Sequence, residues 1–373
     1  MEKIDELKNI LADPYGYCQE YKKCDDKKIV GYACSYAPEE LIHAAGALPF
    51  RLFGEGEGIY RADRHLQSYC CSLVRGILEE ALSGRIHFLD GVVFPHTCDS
   101  FQRLSDIWRL NVADQFHMDL VLPVKLNTES ARNYLVEILQ KFREDLGNKL
   151  AVDISDERIQ GAIKTLNSIR SSMMRLYEIR SRFPEIINGR DFNTLIRASM
   201  ITERSFLQGA LAEIAIHAEK TLHDRPREKA KRLIITGSVC SQPDIYDLIE
   251  RAGGVVVWDT LCTGSRYFEG VIDETLPALE ALAQRYMARP ICPAKHLGLE
   301  ERGRDLVRAV RRNQADGVVF LFLKFCDPHA FDYPYIKRML DDEKIPSLFL
   351  EIEDRLFSEG QVQTRLETFI QIV

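Results

Sequence analysis

The sequence predicts an α/β fold made of two parallel-sheet halves, related by duplication and joined by a helical section. Apolar strands alternate with helices at both ends of the chain, and long charged segments with helical periodicity separate those ends. The motif DGVVF occurs once in each half, at 90–94 and 316–320, and each copy is followed by a Cys-Asp pair. Buried parallel strands favour Val and Phe, so the repeat alone is weak evidence, but the ordered Cys-Asp matches favour duplication.

The first half follows a short helical lead-in at 1–28, and we expect the first α/β domain to span 29–125. A helix is predicted to begin near Pro38, because proline lacks an N–H and the first helical turn does not need one. The apolar runs predict strands at 29–33, 88–94 and 119–124.

The segment 126–228 is predicted to be helical, because apolar residues recur there at three- and four-residue steps. Ile159, Ile163, Leu166 and Ile169 show this spacing. The second α/β domain is expected at 229–373, with a helix near Pro243 where Ser241 and Asp244 have capping-box spacing. Its strands are predicted at 232–240, 253–259, 316–326 and 346–353.

Composition and charge narrow the class of protein. The chain has 373 residues, 46% of them hydrophobic and 28% charged, which is typical of a folded protein of two or three domains. A net charge of −7 argues against a protein that coats nucleic acid, because phosphate is bound through dense Lys and Arg. The sequence contains no apolar run of about 18 residues, so no membrane span is predicted. The charged N-terminus does not look like a signal peptide. We therefore expect a cytoplasmic protein without a membrane partner.

Ten cysteines are the most informative feature of the composition. In a reducing compartment they are not expected to form disulfides, and the simplest interpretation is that they are small buried core residues. Four of them, however, each follow a predicted strand: Cys34, Cys98, Cys240 and Cys326. Open α/β sheets bind ligands beyond the carboxyl ends of their strands, so these four are predicted to lie at that edge.

Two further cysteines, Cys71 and Cys262, fall between these in the two halves, and Cys262 follows the strand GGVVVWD. If the halves face each other, six thiols from six loops converge on one cleft. Zinc needs four closed ligands, usually with CxxC spacing that is absent here, and a nucleophilic cysteine needs only one thiol beside a histidine. Scattered single cysteines suit an iron–sulfur cluster.

The histidines and basic residues near the candidate ligands have either a functional or a structural role. His96 and His329 lie within three residues of candidate ligands and are either proton donors or hydrogen-bond donors to sulfur, or structural histidines. Lys324, Arg75 and Arg103 either stabilise a negative cluster or substrate, or form surface ion pairs.

Among the other cysteines, Cys292 is a reserve ligand, Cys70 adjoins Cys71, and no pattern supports Cys18 or Cys24. No P-loop occurs, so ATP chemistry in this chain lacks sequence support.

Several motifs together resemble the family of 2-hydroxyacyl-CoA dehydratases and benzoyl-CoA reductase subunits over nearly the whole chain. They are CSYAPEELIHAAGALPFRLFG, QSYCCSLVRG, FPHTCDSFQRLSDIW, GSVCSQPDIYDLIE, DTLCTGSRYFEG, KFCDPHAFDYPYIK and IEDRLFSEGQVQTRLETF. The resemblance implies two flavodoxin-like domains joined by helices, with a cluster in the cleft. It also implies that a separate ATP-hydrolysing iron–sulfur activator supplies electrons, which agrees with the missing P-loop.

By motif, the three ligands of the single [4Fe–4S] cubane in this family correspond to Cys71, Cys98 and Cys326. Single-cubane members usually lack cysteines that match Cys34 and Cys262, whereas this sequence has both, together with Cys240. It therefore most resembles the double-cubane branch, in which six cysteines hold an [8Fe–9S] cluster and a bridging sulfide replaces the open iron. Cys292 is the alternative to one member of the second trio.

The leading hypothesis is a double-cubane iron–sulfur reductase that receives low-potential electrons from the activator and reduces a small molecule. The alternative is one [4Fe–4S] subunit of a 2-hydroxyacyl-CoA dehydratase or benzoyl-CoA reductase, paired with a different subunit. A third possibility is an electron carrier or cluster-storage protein without a substrate. A complete ligand set in one chain favours a homodimer, and the substrate stays open.

Overall fold

The computed structural model describes residues 2–24, 26–55, 58–222, 230–239, 244–289, 292–295, 298–353 and 358–373. The strands in these ranges are β1 (Lys28–Tyr32), β2 (Ala47–Arg51), β3 (Gly91–Pro95), β4 (Phe116–Leu120), β5 (Lys231–Gly237), β6 (Gly254–Thr260), β7 (Gly317–Leu323) and β8 (Ser347–Ile352). The helices are α1 (Glu2–Ala12), α2 (Pro14–Lys22), α3 (Glu39–Ala44), α4 (Ser72–Leu82), α5 (Asp99–Asn111), α6 (Glu129–Leu150), α7 (Asp156–Arg182), α8 (Gly189–Ser199), α9 (Arg204–Lys220), α10 (Ile245–Arg251), α11 (Ser265–Phe268), α12 (Ala278–Ala288), α13 (Leu299–Asn313), α14 (Asp327–Asp342) and α15 (Glu359–Ile372).

Two four-stranded sheets form the framework, and every strand pair in them is parallel. The strand order is β2-β1-β3-β4 in the first sheet and β6-β5-β7-β8 in the second, so the two orders correspond strand for strand. This order matches the first four strands of the flavodoxin-like arrangement. The predicted α/β class with two related parallel-sheet halves is confirmed.

The two DGVVF copies occupy equivalent places, because they open β3 and β7. In the first copy, Asp90 Oδ2 accepts a 2.8 Å hydrogen bond from the N–H of Ile29 on β1. In the second, Asp316 Oδ2 accepts a 2.7 Å bond from the N–H of Arg232 on β5. The equivalent aspartates of the two repeats therefore connect the two central strands of each sheet by a hydrogen bond.

Strand boundaries differ from the prediction most clearly at the edge of the first sheet. The bounds predicted for this strand, 119–124, are wrong, because β4 spans Phe116–Leu120. Among the described strands, β4 pairs with β3 alone and is partly exposed, which permits the polar residues His117 and Asp119. Most of the apolar run at 119–124 lies beyond the end of this strand. In the second half, α10 begins at Ile245 with Asp244 as its N-cap, while Ser241 lies outside the described residues.

Helices α6 to α9 lie between the two sheets in sequence, where the helical section was predicted. The 27-residue α7 buries the predicted apolar stripe and packs against α9 and α3 and against β6 of the second sheet. Its side chains bind both halves: Arg170 pairs with Glu40 of α3, and the Tyr177 hydroxyl donates a 2.6 Å bond to Asp259 at the end of β6. The division into domains at 29–125, 126–228 and 229–373 stays a prediction.

The carboxyl ends of the two sheets face each other and are joined by direct hydrogen bonds. Ser35, after β1, donates to the carbonyl of Cys262, after β6, at 3.3 Å. Arg289 donates to the carbonyl of Ser35 at 2.5 Å, and the Tyr286 hydroxyl donates to that of Tyr36 at 2.9 Å. The loops that carry the candidate ligands therefore meet across this junction. In the described part of the chain, no helix combines the length and apolar character needed to cross a membrane.

Candidate metal centre

Three of the predicted thiols stand at the N-caps of three different helices. Cys71 caps α4, Cys98 caps α5 and Cys326 caps α14. The N-terminal end of a helix presents unpaired N–H groups and a partial positive charge, which favours thiolates and other anions. We call Cys71, Cys98 and Cys326 the first trio.

Burial dominates the acidity of these thiols. It raises the pKa of Cys71 to about 11, although the backbone N–H groups of Val74 and Leu73 act in the opposite direction. Burial also raises the pKa of Cys98 and of Cys326, and the other two thiols of the first trio add to the rise at Cys326. Without a metal these side chains are neutral thiols, so binding a cationic iron core would release their protons.

The turn before Cys326 holds a backbone conformation that large residues rarely adopt. Phe325 has a φ of 63°, in the left-handed region, which costs about 1–2 kcal/mol for a residue with a Cβ. The turn is closed by a 3.1 Å hydrogen bond from the Cys326 N–H to the carbonyl of Leu323 at the end of β7. This turn places Cys326 at the N-cap of α14, which begins at Asp327.

Cys34, Cys262 and Cys292 form a second trio that spans the junction, because Cys34 follows β1 of the first sheet and Cys262 follows β6 of the second. Thr97 donates to the Cys34 sulfur at 3.7 Å, and Arg266 donates to the Cys262 sulfur at 3.7 Å. Burial raises the pKa of Cys292 to about 11, and the nearby Cys262 and Cys34 thiols add to the rise.

The two trios lie next to each other. After burial and Cys71, the thiols of Cys34 and Cys292 contribute to the raised pKa of Cys98. Likewise Cys262 contributes to the raised pKa of Cys326. We call these six side chains the thiol cluster: Cys34, Cys71, Cys98, Cys262, Cys292 and Cys326. Cys240, the remaining predicted ligand, lies outside the described residues.

A single metal ion and an iron–sulfur cluster require different arrangements of thiolates. Among the described residues, no three His, Cys, Asp or Glu side chains converge closely enough to hold one metal ion. A single zinc requires thiolates about 2.3 Å from one centre, whereas the thiolates of a cubane bind different irons and lie further apart. A set composed of buried and half-buried thiols fits an iron–sulfur cluster.

Four of the polar side chains named from the sequence have carboxylate partners. His96 Nε2 lies 2.8 Å from Asp119, and Lys324 Nζ lies 2.5 Å from Glu353. Arg75 and Arg103 likewise form ion pairs, at 2.7 Å to Asp63 and 3.5 Å to Asp106 respectively. For Lys324, Arg75 and Arg103, these contacts favour the surface ion-pair alternative.

His329 has a different environment from His96. It is buried, its ring centroid lies 5.2 Å from that of Phe322, and its backbone N–H donates to the Cys326 carbonyl at 3.1 Å. Burial, with help from the positive charges of Arg266 and Arg302, holds its pKa well below the ordinary value. His329 is therefore neutral at pH 7.

The basic residues beside the thiols are ones that the sequence analysis missed. Burial opposes the charge of Arg266, yet the thiols of Cys262 and Cys292 raise its pKa above the ordinary value. Lys295 is 1% exposed, and its pKa is lowered by burial and partly restored by Cys34 and Cys292. Each follows a cysteine by three or four residues, which is the signal that could have found them.

Of the other described cysteines, Cys18 and Cys24 stand apart from the thiol cluster, whereas Cys70 adjoins Cys71 and adds to the rise of its pKa. Cys18 is 0% exposed within the hydrophobic core, and Cys24 is exposed. Cys70 is buried, and its sulfur lies 3.9 Å from the Gln67 side-chain oxygen.

A family model described as 2-hydroxyglutaryl-CoA dehydratase, D-component, matches residues 34–373. The chain belongs to this family. The match begins at Cys34, the first member of the thiol cluster, and includes both sheets and the helices between them. The sequence resemblance to acyl-CoA dehydratases is thereby confirmed.

Named relatives of this family member are enzyme subunits of two kinds. The chain is 28% identical over 352 residues to a benzoyl-CoA reductase subunit of Thauera aromatica, and the match covers 92% of this chain and 90% of the relative. It is 24% identical to the (R)-phenyllactyl-CoA dehydratase beta subunit of Clostridium sporogenes, covering 98% and 97%. It is 26% identical to the lactoyl-CoA dehydratase beta subunit of Anaerotignum propionicum, covering 99% and 98%. These relatives support an enzyme, either a reductase or a dehydratase.

Proposed function

We propose that this family member is an iron–sulfur reductase whose thiol cluster holds a double-cubane [8Fe–9S] cluster between the two halves. The observation that carries the proposal is the convergence of six buried or half-buried thiols in two adjacent trios. One cubane would use Cys71, Cys98 and Cys326. The other would use Cys34, Cys262 and a third thiol.

For that third thiol, the contacts favour Cys292 over Cys240. Cys292 lies close enough to Cys262 and Cys34 to raise its pKa electrostatically, while Cys240 lies outside the described residues. Cys240 stays a prediction from the sequence.

The residues around the thiol cluster would stabilise its negative charge. Three helix N-termini point at the first trio, and Arg266 and Lys295 accompany the second. When bound, the cluster supplies low-potential electrons for reducing a small molecule. His96, which is partly exposed and hydrogen-bonded to Asp119, is the more accessible of the two proposed proton donors, because His329 is buried and neutral.

Electrons would come from a separate ATP-hydrolysing iron–sulfur activator, as the family resemblance implies and in agreement with the lack of a P-loop in the sequence. Both trios lie in one chain, which favours a homodimer in a reducing cytoplasm. The alternative, a [4Fe–4S] subunit of a 2-hydroxyacyl-CoA dehydratase or benzoyl-CoA reductase, is supported by the names of the relatives, which are single subunits of such enzymes. In that case the chain would need a second, different subunit.

Metal analysis of the anaerobically purified full chain separates the two. About eight irons per chain, together with slightly more sulfide than iron, supports the double cubane, and about four irons with equal sulfide supports the alternative. Turnover of a small reducible molecule with activator and ATP distinguishes the reductase from a cluster-storage protein. Equal amounts of a related second subunit after purification would contradict the homodimer.

A further inference from the structure

A large cavity lies beside the second trio, between one face of the second sheet and helix α13. Its volume is about 860 Å³, in the range of cavities that hold small ligands. Arg266, which contacts the Cys262 sulfur, is part of its wall, and so is Pro293, the neighbour of Cys292. The cavity therefore adjoins the thiol cluster.

The wall of this cavity is strongly basic. Six arginines among the described residues line it: Arg266, Arg285, Arg289, Arg302, Arg308 and Arg312. Three carboxylates, Glu269, Asp305 and Asp332, also line it, so an excess of three positive charges remains. The floor is aromatic, since Trp258, Phe320 and Phe322 of the sheet face line the same space.

Three of the arginines are buried without a carboxylate partner in the described part of the chain. Arg266, Arg285 and Arg289 are each 7% exposed. Besides the Cys262 sulfur, their hydrogen bonds go to backbone carbonyls, such as Gly237 at 3.1 Å from Arg266 and Gly270 at 3.0 Å from Arg285. Glu40 and Glu269 act on Arg285 and Arg266 electrostatically without forming an ion pair with them in the described part of the chain. The cavity therefore keeps an excess of buried positive charge, which favours an anion there.

A role in stabilising the thiol cluster accounts for the position of Arg266 but not for the other five arginines that line the cavity. Arg308 and Arg312 lie on the exposed side of α13, where Arg308 pairs with Asp305 and Arg312 lies 4.8 Å above the Trp258 ring. They stand one helical turn apart, so both face the mouth of the cavity. A basic mouth attracts anions from solution and leads them to the buried guanidinium groups.

We propose that this cavity binds a small organic molecule carrying two or more negative charges as carboxylate or phosphate groups. The charges would lie against the guanidinium groups, and the apolar body would pack on the aromatic floor. Binding of this kind depends on the cavity and not on the iron content. The site therefore stands or falls separately from the proposed reductase.

Isothermal titration calorimetry on the anaerobically purified full chain tests the site. The probes are phthalate for carboxylates, phenyl phosphate for phosphates and benzyl alcohol as the neutral body, all at equal ionic strength. Binding by either anion, weakened at higher salt and absent for the alcohol, supports the proposal. Equal binding of all three probes, or binding of none, overturns it.

Variants at the mouth locate the binding without disturbing the buried groups. The double variant R308Q/R312Q should weaken the anion by about three- to twentyfold, since each exposed cation contributes modestly. The matched control R304Q lies on the same helix, pairs with Glu300 at 2.7 Å and does not line the cavity, so it should leave the affinity unchanged. Unchanged affinity in R308Q/R312Q, or an equal loss in R304Q, refutes binding at this place.

Discussion

Replacing Cys292 by alanine is the sharpest test of how the thiols are divided. Cys292 lies in the connection between α12 and α13, half-buried, with the thiols of Cys262 and Cys34 as its electrostatic neighbours. If it completes the second trio, its loss leaves that cubane with two of three protein thiolates while the first trio is intact. Iron should fall from about eight to about four per chain, because one complete cubane remains.

The fold should survive this substitution. Cys292 belongs to no strand or helix, and removing its sulfur deletes one atom from a site that is partly open. The cost in unfolding free energy should therefore be below about 1 kcal/mol. Iron and sulfide analysis measures the cluster, electron paramagnetic resonance reports whether an isolated [4Fe–4S] centre remains, and circular dichroism checks the fold.

Two further variants make the test decisive. Cys18→Ala is the matched control: Cys18 is 0% exposed in the core, so it should lose about 1 kcal/mol of stability and no iron. Cys240→Ala is the competing ligand. Full iron in Cys292→Ala combined with half the iron in Cys240→Ala would refute our choice of Cys292 and restore the ligand set predicted from sequence. Full iron in both variants, and also in Cys34→Ala and Cys262→Ala, would refute the second cubane.

Three predictions concern the fold around the site. The carboxylate of Glu79 accepts hydrogen bonds from the backbone N–H groups of Tyr60, Arg61 and Ala62 at 2.9, 2.6 and 2.9 Å. Glu79→Gln should therefore lower the unfolding free energy measured by urea denaturation by about 2 kcal/mol. An unchanged denaturation midpoint would refute this role. Although burial opposes its charge, these bonds hold the pKa of Glu79 below its ordinary value, so its contribution should be lost as the pH falls through that lowered pKa. Burial, with the charge of Arg204, lowers the pKa of His43 to about 4. Roughly 2–3 kcal/mol of unfolding free energy that is present above pH 6.5 should therefore be lost as the pH falls towards 4. His43→Gln should remove this part of the dependence of stability on pH. In β3, a Cβ on Gly91 would lie 2.2 Å from the Phe116 ring, so Gly91→Ala should lower the unfolding free energy by at least about 1–3 kcal/mol. Gly161→Ala, on the exposed face of α7, should raise it by about 0.5–1 kcal/mol. Equal melting temperatures for the two variants would contradict this account.

The candidate site was only partly accessible from the sequence. Cys34, Cys98, Cys262 and Cys326 could be placed at the carboxyl edges of the sheets, because each follows a strand whose apolar run is visible in the sequence. Cys292 follows no strand, so no local pattern distinguishes it from an ordinary buried cysteine. The same limit applies to Lys324 and Arg75, whose carboxylate partners Glu353 and Asp63 lie 29 and 12 residues away in the chain.

The sequence by itself determined the α/β class, the duplication and the central strands of both sheets. These follow from local physics, because a strand buried on both faces must be continuously apolar, and the repeated Asp90 and Asp316 begin equivalent strands. Only the tertiary structure decided which loops meet: Ser35 against Cys262, Cys34 beside Cys292, and six arginines around one cavity. Such contacts join residues far apart in the chain, and their position depends on how the two sheets pack through α7.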